Sequence, residues 1–250
     1  MRTFLKTYSV TLIALALFIV CACKKKEEPA KKIETGTVTD IDGNTYNTVK
    51  IGNQWWMAEN LRTTKYRNGV SIFSLQQTDP DSAWGQSTKG LYCQFFNNSQ
   101  LGAKYGMLYN WYAVADTSNI APAGWHVPTD AEWKELEQTL GMSSGDADGV
   151  NWRGGHEGDK LKIKSPDDWT SYGNVWSTNE SGFTAMAGSC RLFNGTWGYP
   201  STGGMGFWWS SSLRAASNEP WYRYLDYKRS NVFRYYGSKS YGMSIRCVKD

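Results

Sequence analysis

Trp125-His126-Val127-Pro128-Thr129-Asp130-Ala131-Glu132-Trp133-Lys134-Glu135-Leu136 is the one stretch of the 250-residue chain that reads as an amphipathic helix with both ends specified. Thr129 is placed to accept hydrogen bonds from the orphan N–H groups of the first turn. Glu132, three residues on, is placed to reach back to the Thr129 N–H, which completes a capping box. Pro128 stands just outside the helix, Asp130 and Glu132 put negative charge at the positive end of the helix dipole, and Gly141 after Leu140 supplies a left-handed C-terminal cap. Trp133, Leu136 and Leu140 recur at i, i+3 and i+7, so one face is apolar while Lys134, Glu135 and Gln138 face water. This helix must pack on something that the rest of the chain supplies.

Most of that remainder reads as short strands and loops. Upstream, Thr37–Ile41 alternates, Asp42-Gly43 follows, and Asn44–Ile51 alternates again, a strong hairpin signal. Gly52-Asn53 then leads into Gln54-Trp55-Trp56-Met57, which extends the hairpin to a three-stranded meander. Asp40-x-Asp42-Gly43-Asn44 has the look of a calcium loop, but Val49 stands where a distant bidentate carboxylate is needed, so a turn is expected. Downstream, Gly141 to Asn179 is rich in Gly, Ser and Asp and reads as long loops, with Lys160–Lys164 as a short alternating strand. Asp146, Asp148 and Asn151 within it are weighed as cation ligands and read as a solvated turn. Phe183 to Trp209 has the composition of exposed loop tips, and Trp221 to Tyr236 reads as two antiparallel strands meeting near residues 228–231.

Composition fits this picture. The chain holds 13 Trp, 15 Tyr and 25 Gly against 9 Phe, and amphipathic rings on Gly-punctuated segments suit a loop-rich extracellular domain. The formal charge of +4 resides in the N-terminal segments. Residues 1–22 hold Arg2 and Lys6 with no acid, residues 23–35 hold five Lys against three Glu, and the rest balances at 20 basic against 20 acidic groups. A neutral globular part lacks the concentrated basic surface that nucleic acid requires.

Met1–Ser9 is a basic n-region and Val10–Val20 is apolar apart from Thr11, too short for a lasting membrane span. The run ends Val20-Cys21-Ala22-Cys23, which resembles the bacterial lipobox and makes Cys23 the lipidation site; an ordinary signal cut near Ala22 is the alternative. Several acyl chains at about 0.8 kcal/mol per buried CH₂ give permanent anchoring. Cys23-Lys24-Lys25-Lys26-Glu27-Glu28 resembles the charged signal that sends lipoproteins of Bacteroidetes-type bacteria to the outer face of the outer membrane, with a solvated linker as the plain reading. Residues 1–22 are thus expected to be a signal peptide, 23–36 a charged tether, and 37–250 one domain.

Asp40-Ile41-Asp42-Gly43-Asn44-x-Tyr46-x-Thr48-Val49-Lys50-Ile51-Gly52-Asn53-Gln54-Trp55-Trp56-Met57-Ala58-Glu59-Asn60-Leu61 resembles the opening signature of the Fibrobacter succinogenes major paralogous domain, a family of secreted and lipoprotein modules. Further runs follow in the family's order: Tyr105-Gly106-Met107-Leu108-Tyr109-Asn110-Trp111, Gly124–Trp133, Phe207-Trp208-Trp209-Ser210-Ser211 and Gly242-Met243-Ser244-Ile245-Arg246-Cys247-Val248. The pair Tyr109–Ala115 and Val127–Trp133 is also similar to two helices of formylglycine-generating-enzyme-like domains. That likeness implies an α+β, C-type lectin-like fold with two main helices, a loop-rich antiparallel sheet, and residues 244–248 returning beside the N-terminal meander. The family resemblance further implies a disulfide between Cys93 and Cys247, leaving Cys190 over. In the loop-entropy picture such a bridge contributes on the order of 4 to 5 kcal/mol.

Catalytic chemistry finds little support. The formylglycine-generating reaction uses two cysteines close together near the C-terminal end, whereas Cys190 and Cys247 stand far apart, and fold likeness does not carry function. Glu132 and Glu135 belong to a helix cap and a solvated face, unlike a glycosidase pair. His126 lies in an apolar approach to the helix and His156 in a Gly loop, and no His or Cys cluster has zinc spacing. No metal or cofactor is expected. Binding is the positive reading: Trp and Tyr faces stack on sugar rings while polar neighbours bond hydroxyls. Trp55, Trp56, Trp111, Trp125 and Trp133 are assigned to the core. Phe193, Trp197, Tyr199, Trp221, Tyr235 and Tyr236 are the expected ligand contacts. The expectation is a tethered, non-enzymatic surface lipoprotein that binds glycan or a cell-surface protein, with an enzyme of the formylglycine-generating type or a structural envelope component as alternatives.

Overall fold

A computed structural model describes residues 33–75, 79–165, 167–198 and 203–250. Cys23, the expected signal peptide and most of the expected tether fall outside the described residues, as does Tyr199. Residues Ile33–Asp250 form one compact unit.

The expected meander is present. Strands β1 (Thr35–Thr39), β2 (Thr45–Ile51) and β3 (Gln54–Met57) pair antiparallel in succession. Gly43 at φ 85° and Gly52 at φ 61° take the left-handed turn positions that other residues avoid. A second group comprises β4 (Phe73–Ser74), α1 (Asp81–Gln86), β5 (Leu91–Cys93), α2 (Ser99–Tyr105), β6 (Leu108–Tyr109) and α3 (Trp111–Val114). Then come β7 (Trp125–His126), α4 (Asp130–Thr139), α5 (Ser144–Asp148), β8 (Asn151–Arg153) and α6 (Glu157–Leu161). The chain closes with β9 (Met205–Arg214), β10 (Glu219–Asp226), β11 (Val232–Tyr236) and β12 (Val248–Lys249).

These strands make a five-stranded sheet ordered β1-β2-β3-β12-β7, a four-stranded sheet ordered β8-β11-β10-β9, and a three-stranded sheet ordered β4-β5-β6. Every pair is antiparallel except β4 with β5. The architecture is α+β, with mostly antiparallel sheets and few helices. As expected, the C-terminal strand returns beside the meander, with Val248 opposite Trp56.

Helix α4 carries the expected capping box. The Thr129 hydroxyl accepts from the Glu132 N–H at 3.2 Å, and Glu132 Oε2 accepts from the Thr129 N–H at 2.7 Å. Trp133 and Leu136 are buried, each contributing roughly 1.5–3 kcal/mol. The second expected main helix is shorter than anticipated. Tyr109 belongs to β6, and the Asn110 side chain accepts from Ala113 N–H and Leu91 N–H, so only the one turn of α3 forms. The strand expected at 160–164 is also corrected, since residues through Leu161 are helical in α6. Gly158 allows that turn to lie on the backbone, because a Cβ there would meet the carbonyl oxygens of Ser230 and Asn231 at 2.7 Å.

Strand alternation in β9 divides the core. Trp208 faces a cluster with Trp56, Trp133, Leu136 and Phe183, whereas Trp209 faces one with Tyr46, Tyr109, Trp111 and Ile245. The closing motif threads between them. Met243 exchanges backbone bonds with Tyr109, Ser244 bonds to Phe207 and Trp209, and Ile245 accepts from Leu61. Arg246 is fully buried, with Nε on Asn60 Oδ1 at 2.8 Å and its terminal nitrogens on the Phe183 and Thr184 carbonyls. Burial pulls its guanidinium down to about 9.

The Cys93–Cys247 bridge is not formed. Cys93, Cys190 and Cys247 are buried free thiols, with Cys93 in a third cluster beside Trp84 and Phe95 and Cys247 beside Tyr109. Burial pushes the Cys93 and Cys190 thiols up to about 12, and that of Cys247 higher still.

Candidate functional site

The segment after α6 builds a cleft of about 360 Å³ against the end of β10. Trp169 pins it, being buried with Nε1 donating to the Ala185 carbonyl at 2.8 Å. Beyond it, Gly173 at φ 51° permits the turn that brings Tyr172 and Val175 into a bridge. The result is an aromatic rim in which Tyr172 is 50% exposed and Trp176 66% exposed. Tyr227 meets Tyr172 edge-on at 5.8 Å and completes the opposite wall. Hydroxyls of Ser165, Thr170, Ser171 and Ser177 line the same space.

Lys162 lies in the cleft lining, 1% exposed. Its ammonium donates to the Arg229 carbonyl at 2.5 Å and stands 5.3 Å over the Trp169 ring. Asp159 Oδ1 is 3.8 Å away, beyond hydrogen-bond reach, and has no hydrogen-bond partner of its own. Burial lowers the Lys162 amine to about 8 against the opposing pull of Asp159 and Asp226.

The residues expected to touch ligand divide into separate places. Trp221, Tyr235 and Tyr236 gather at one sheet margin: Tyr235 and Tyr236 stack at 4.5 Å, Tyr236 meets Trp221 at 5.2 Å, and the Arg234 guanidinium lies 3.6 Å over Trp221. Phe193, 53% exposed, meets Tyr241 at 5.8 Å. Trp197 instead packs against Phe95 and Phe96 at 5.5 and 5.1 Å, which makes it framework. Of the tryptophans assigned to the core, Trp56, Trp111, Trp125 and Trp133 are buried and Trp55 is half-buried against it.

Trp169, Tyr172 and Trp176 are not among the expected ligand contacts. Their signal was three large rings inside an otherwise polar Gly-Ser-Asp segment. A further aromatic row also went unforeseen: Trp152, Phe233, Tyr224 and Phe207 lie directly opposite one another across β8, β11, β10 and β9. Among the described residues, no group of three or more His, Cys, Asp or Glu is placed to hold a metal ion. Likewise, none of their helices is long and apolar enough to cross a membrane.

These features define an aromatic-rich, loop-built α+β module with an open cleft. The Fibrobacter succinogenes major domain matches residues 49–249, and the chain belongs to that family. No curated protein and no solved structure matches it.

Proposed function

We propose that this is a non-enzymatic binding module of a membrane-anchored, surface-facing lipoprotein, C-type lectin-like in fold, that takes a carbohydrate in the Lys162–Tyr227 cleft. The observation that carries the reading is Trp176 standing 66% exposed beside Tyr172 on an aromatic, hydroxyl-lined cleft. Exposed rings beside hydroxyl donors match the apolar faces and polar rims of sugars. The formylglycine-generating reading is disfavoured by thiols whose burial keeps them protonated, since the thiolate is the reactive form.

A glycan-array screen of the full chain tests the reading. Binding is expected, and Trp176→Ala is expected to weaken it by about tenfold, worth roughly 1.4 kcal/mol, with an unchanged melting temperature. An array without any bound glycan would leave a protein ligand or a structural envelope role. Anchoring is a separate matter: Cys23→Ala should release the chain from membranes, and retention would refute the lipobox reading.

A further inference from the structure

We infer that the cleft selects carboxylated sugars, a uronate or a sialate, by stacking the sugar on the Trp176–Tyr172 rim and meeting its carboxylate with the ammonium groups of Lys162 and Lys164. This rests on the carbohydrate reading and narrows it to a chemical class.

The charge on the lining is of one sign. Lys162 and Lys164 line the cleft, and among the described residues no carboxylate does. A third amine, Lys228, sits 5.4 and 5.1 Å over the Tyr172 and Tyr227 rings of the same walls. Asp159, Asp168 and Asp226 are buried and stand outside the lining, and exposed Asp167, between Ser165 and Trp169, is not part of it either. Asp168 pairs with Lys104 at 2.8 Å. Asp226 accepts the Tyr224 hydroxyl at 2.6 Å and the Lys228 N–H at 2.7 Å. Asp159 Oδ2 lies 3.2 Å from His156 Nδ1.

Lys162 is 1% exposed on the lining, with Asp159 Oδ1 3.8 Å from its ammonium. An ammonium carries three N–H groups, and among the described residues its one hydrogen bond goes to the Arg229 carbonyl. A partly desolvated ammonium holds a carboxylate through a charge-assisted bond roughly twice as strong as a neutral one. Exposed Lys164 adds attraction at the mouth, where salt screens it.

The groups facing Lys162 also fix a pH dependence. Asp159 on α6 and Asp226 at the end of β10 hold the proton on, burial drives it off, and the balance leaves the amine near 8. His156 Nδ1 lies 3.2 Å from Asp159 Oδ2, and Asp226 accepts from the Tyr224 hydroxyl and the Lys228 N–H. The carboxylate-dependent part of binding is therefore present at neutral pH and fades as pH rises through about 8.

The test is a titration of the full chain with oligogalacturonate, its methyl ester, sialyllactose and lactose, at low and high salt and at two pH values. Expected is at least tenfold tighter binding of one acidic ligand than of its neutral counterpart, with the uronate and sialate arms identifying the source. That preference should shrink at high salt, at pH 9, in Lys164→Glu and in Lys162→Met, while neutral binding persists. Equal binding of acidic and neutral forms overturns the inference and leaves the carbohydrate reading standing. No binding of any of the four here, together with an empty glycan array, overturns both. If Lys162→Met misfolds by circular dichroism, exposed Lys164→Glu and the pH series still decide.

Discussion

The β10–β11 hairpin meets buried cations in two settings. On the strands, Arg223 and Arg234 face α4 and, with Arg153 from β8, meet two acids of that helix. Arg223 reaches Glu137 at 2.7 Å and Asp130 at 2.8 Å, Arg234 takes both Asp130 oxygens, and Arg153 takes both Glu137 oxygens. Burial alone would raise the Asp130 carboxyl, but the guanidiniums of Arg234 and Arg223 hold it far below the usual carboxylate range. At the turn, Lys162 is equally buried yet has a carbonyl as its hydrogen-bond partner and no acid within hydrogen-bond reach. A seam in which both acids are met by guanidiniums holds the helix to the sheet. The Lys162 ammonium, 1% exposed on the lining of an open cleft, is held instead by one carbonyl, with Asp159 3.8 Å away.

Mutating each site should separate them. Arg223→Met strands Asp130 and Glu137 with fewer partners, and removing one member of a buried ion network costs about 3–5 kcal/mol. A large fall in the denaturant midpoint is expected. Lys162→Met also orphans an acceptor, the Arg229 carbonyl, which costs roughly 1–3 kcal/mol, and removes the cation 3.8 Å from buried Asp159, which keeps His156 as a partner. It relieves a desolvated charge of comparable size at the same time. The net change at pH 7 is expected to stay within about 1 kcal/mol of wild type. Equal destabilisation by the two substitutions would erase the distinction and make Lys162 part of the framework.

What the sequence disclosed follows from how local each cause is. The capping box of α4, the Asp42-Gly43 hairpin and the β10–β11 pair depend on residues a few positions apart, and all three are where expected. The return of Val248 to Trp56 was implied by the likeness to formylglycine-generating-enzyme-like domains, since nothing local dictates it. Helix α6 was misread because Lys160-Leu161-Lys162-Ile163-Lys164 alternates like a strand, while Lys162 turns inward to a carbonyl contributed by Arg229. The seam was hidden for a related reason. Asp130 read as a charge at the helix dipole, and an apolar periodicity does not count Glu137, yet Glu137 is fully buried on the Trp133 face. The cleft depends on a loop folding back over Tyr227, a contact without a periodic signature.

The smallest expected effect concerns the approach to α4, where charges are shared but half-exposed. His126 lies between two carboxylates, Nε2 at 2.8 Å from Glu132 Oε1 and Nδ1 at 2.6 Å from Asp250 Oδ1. Partial burial lowers its pKa, but the hydrogen bonds to Asp250 and Glu132 outweigh that, and the net shift is upward. A base whose folded pKa is raised contributes stability that is fully present below its unfolded value of about 6.5 and is lost as pH rises through the folded value. Because the imidazole is about one-third exposed and Asp250 more so, screening limits the contribution to roughly 0.5–1 kcal/mol. His126→Gln should therefore lower stability near pH 6, match wild type by about pH 9, and lose most of its effect in high salt. A penalty constant across that range would show that His126 acts through packing, and would place the charges at the α4 entrance with the pH-insensitive seam.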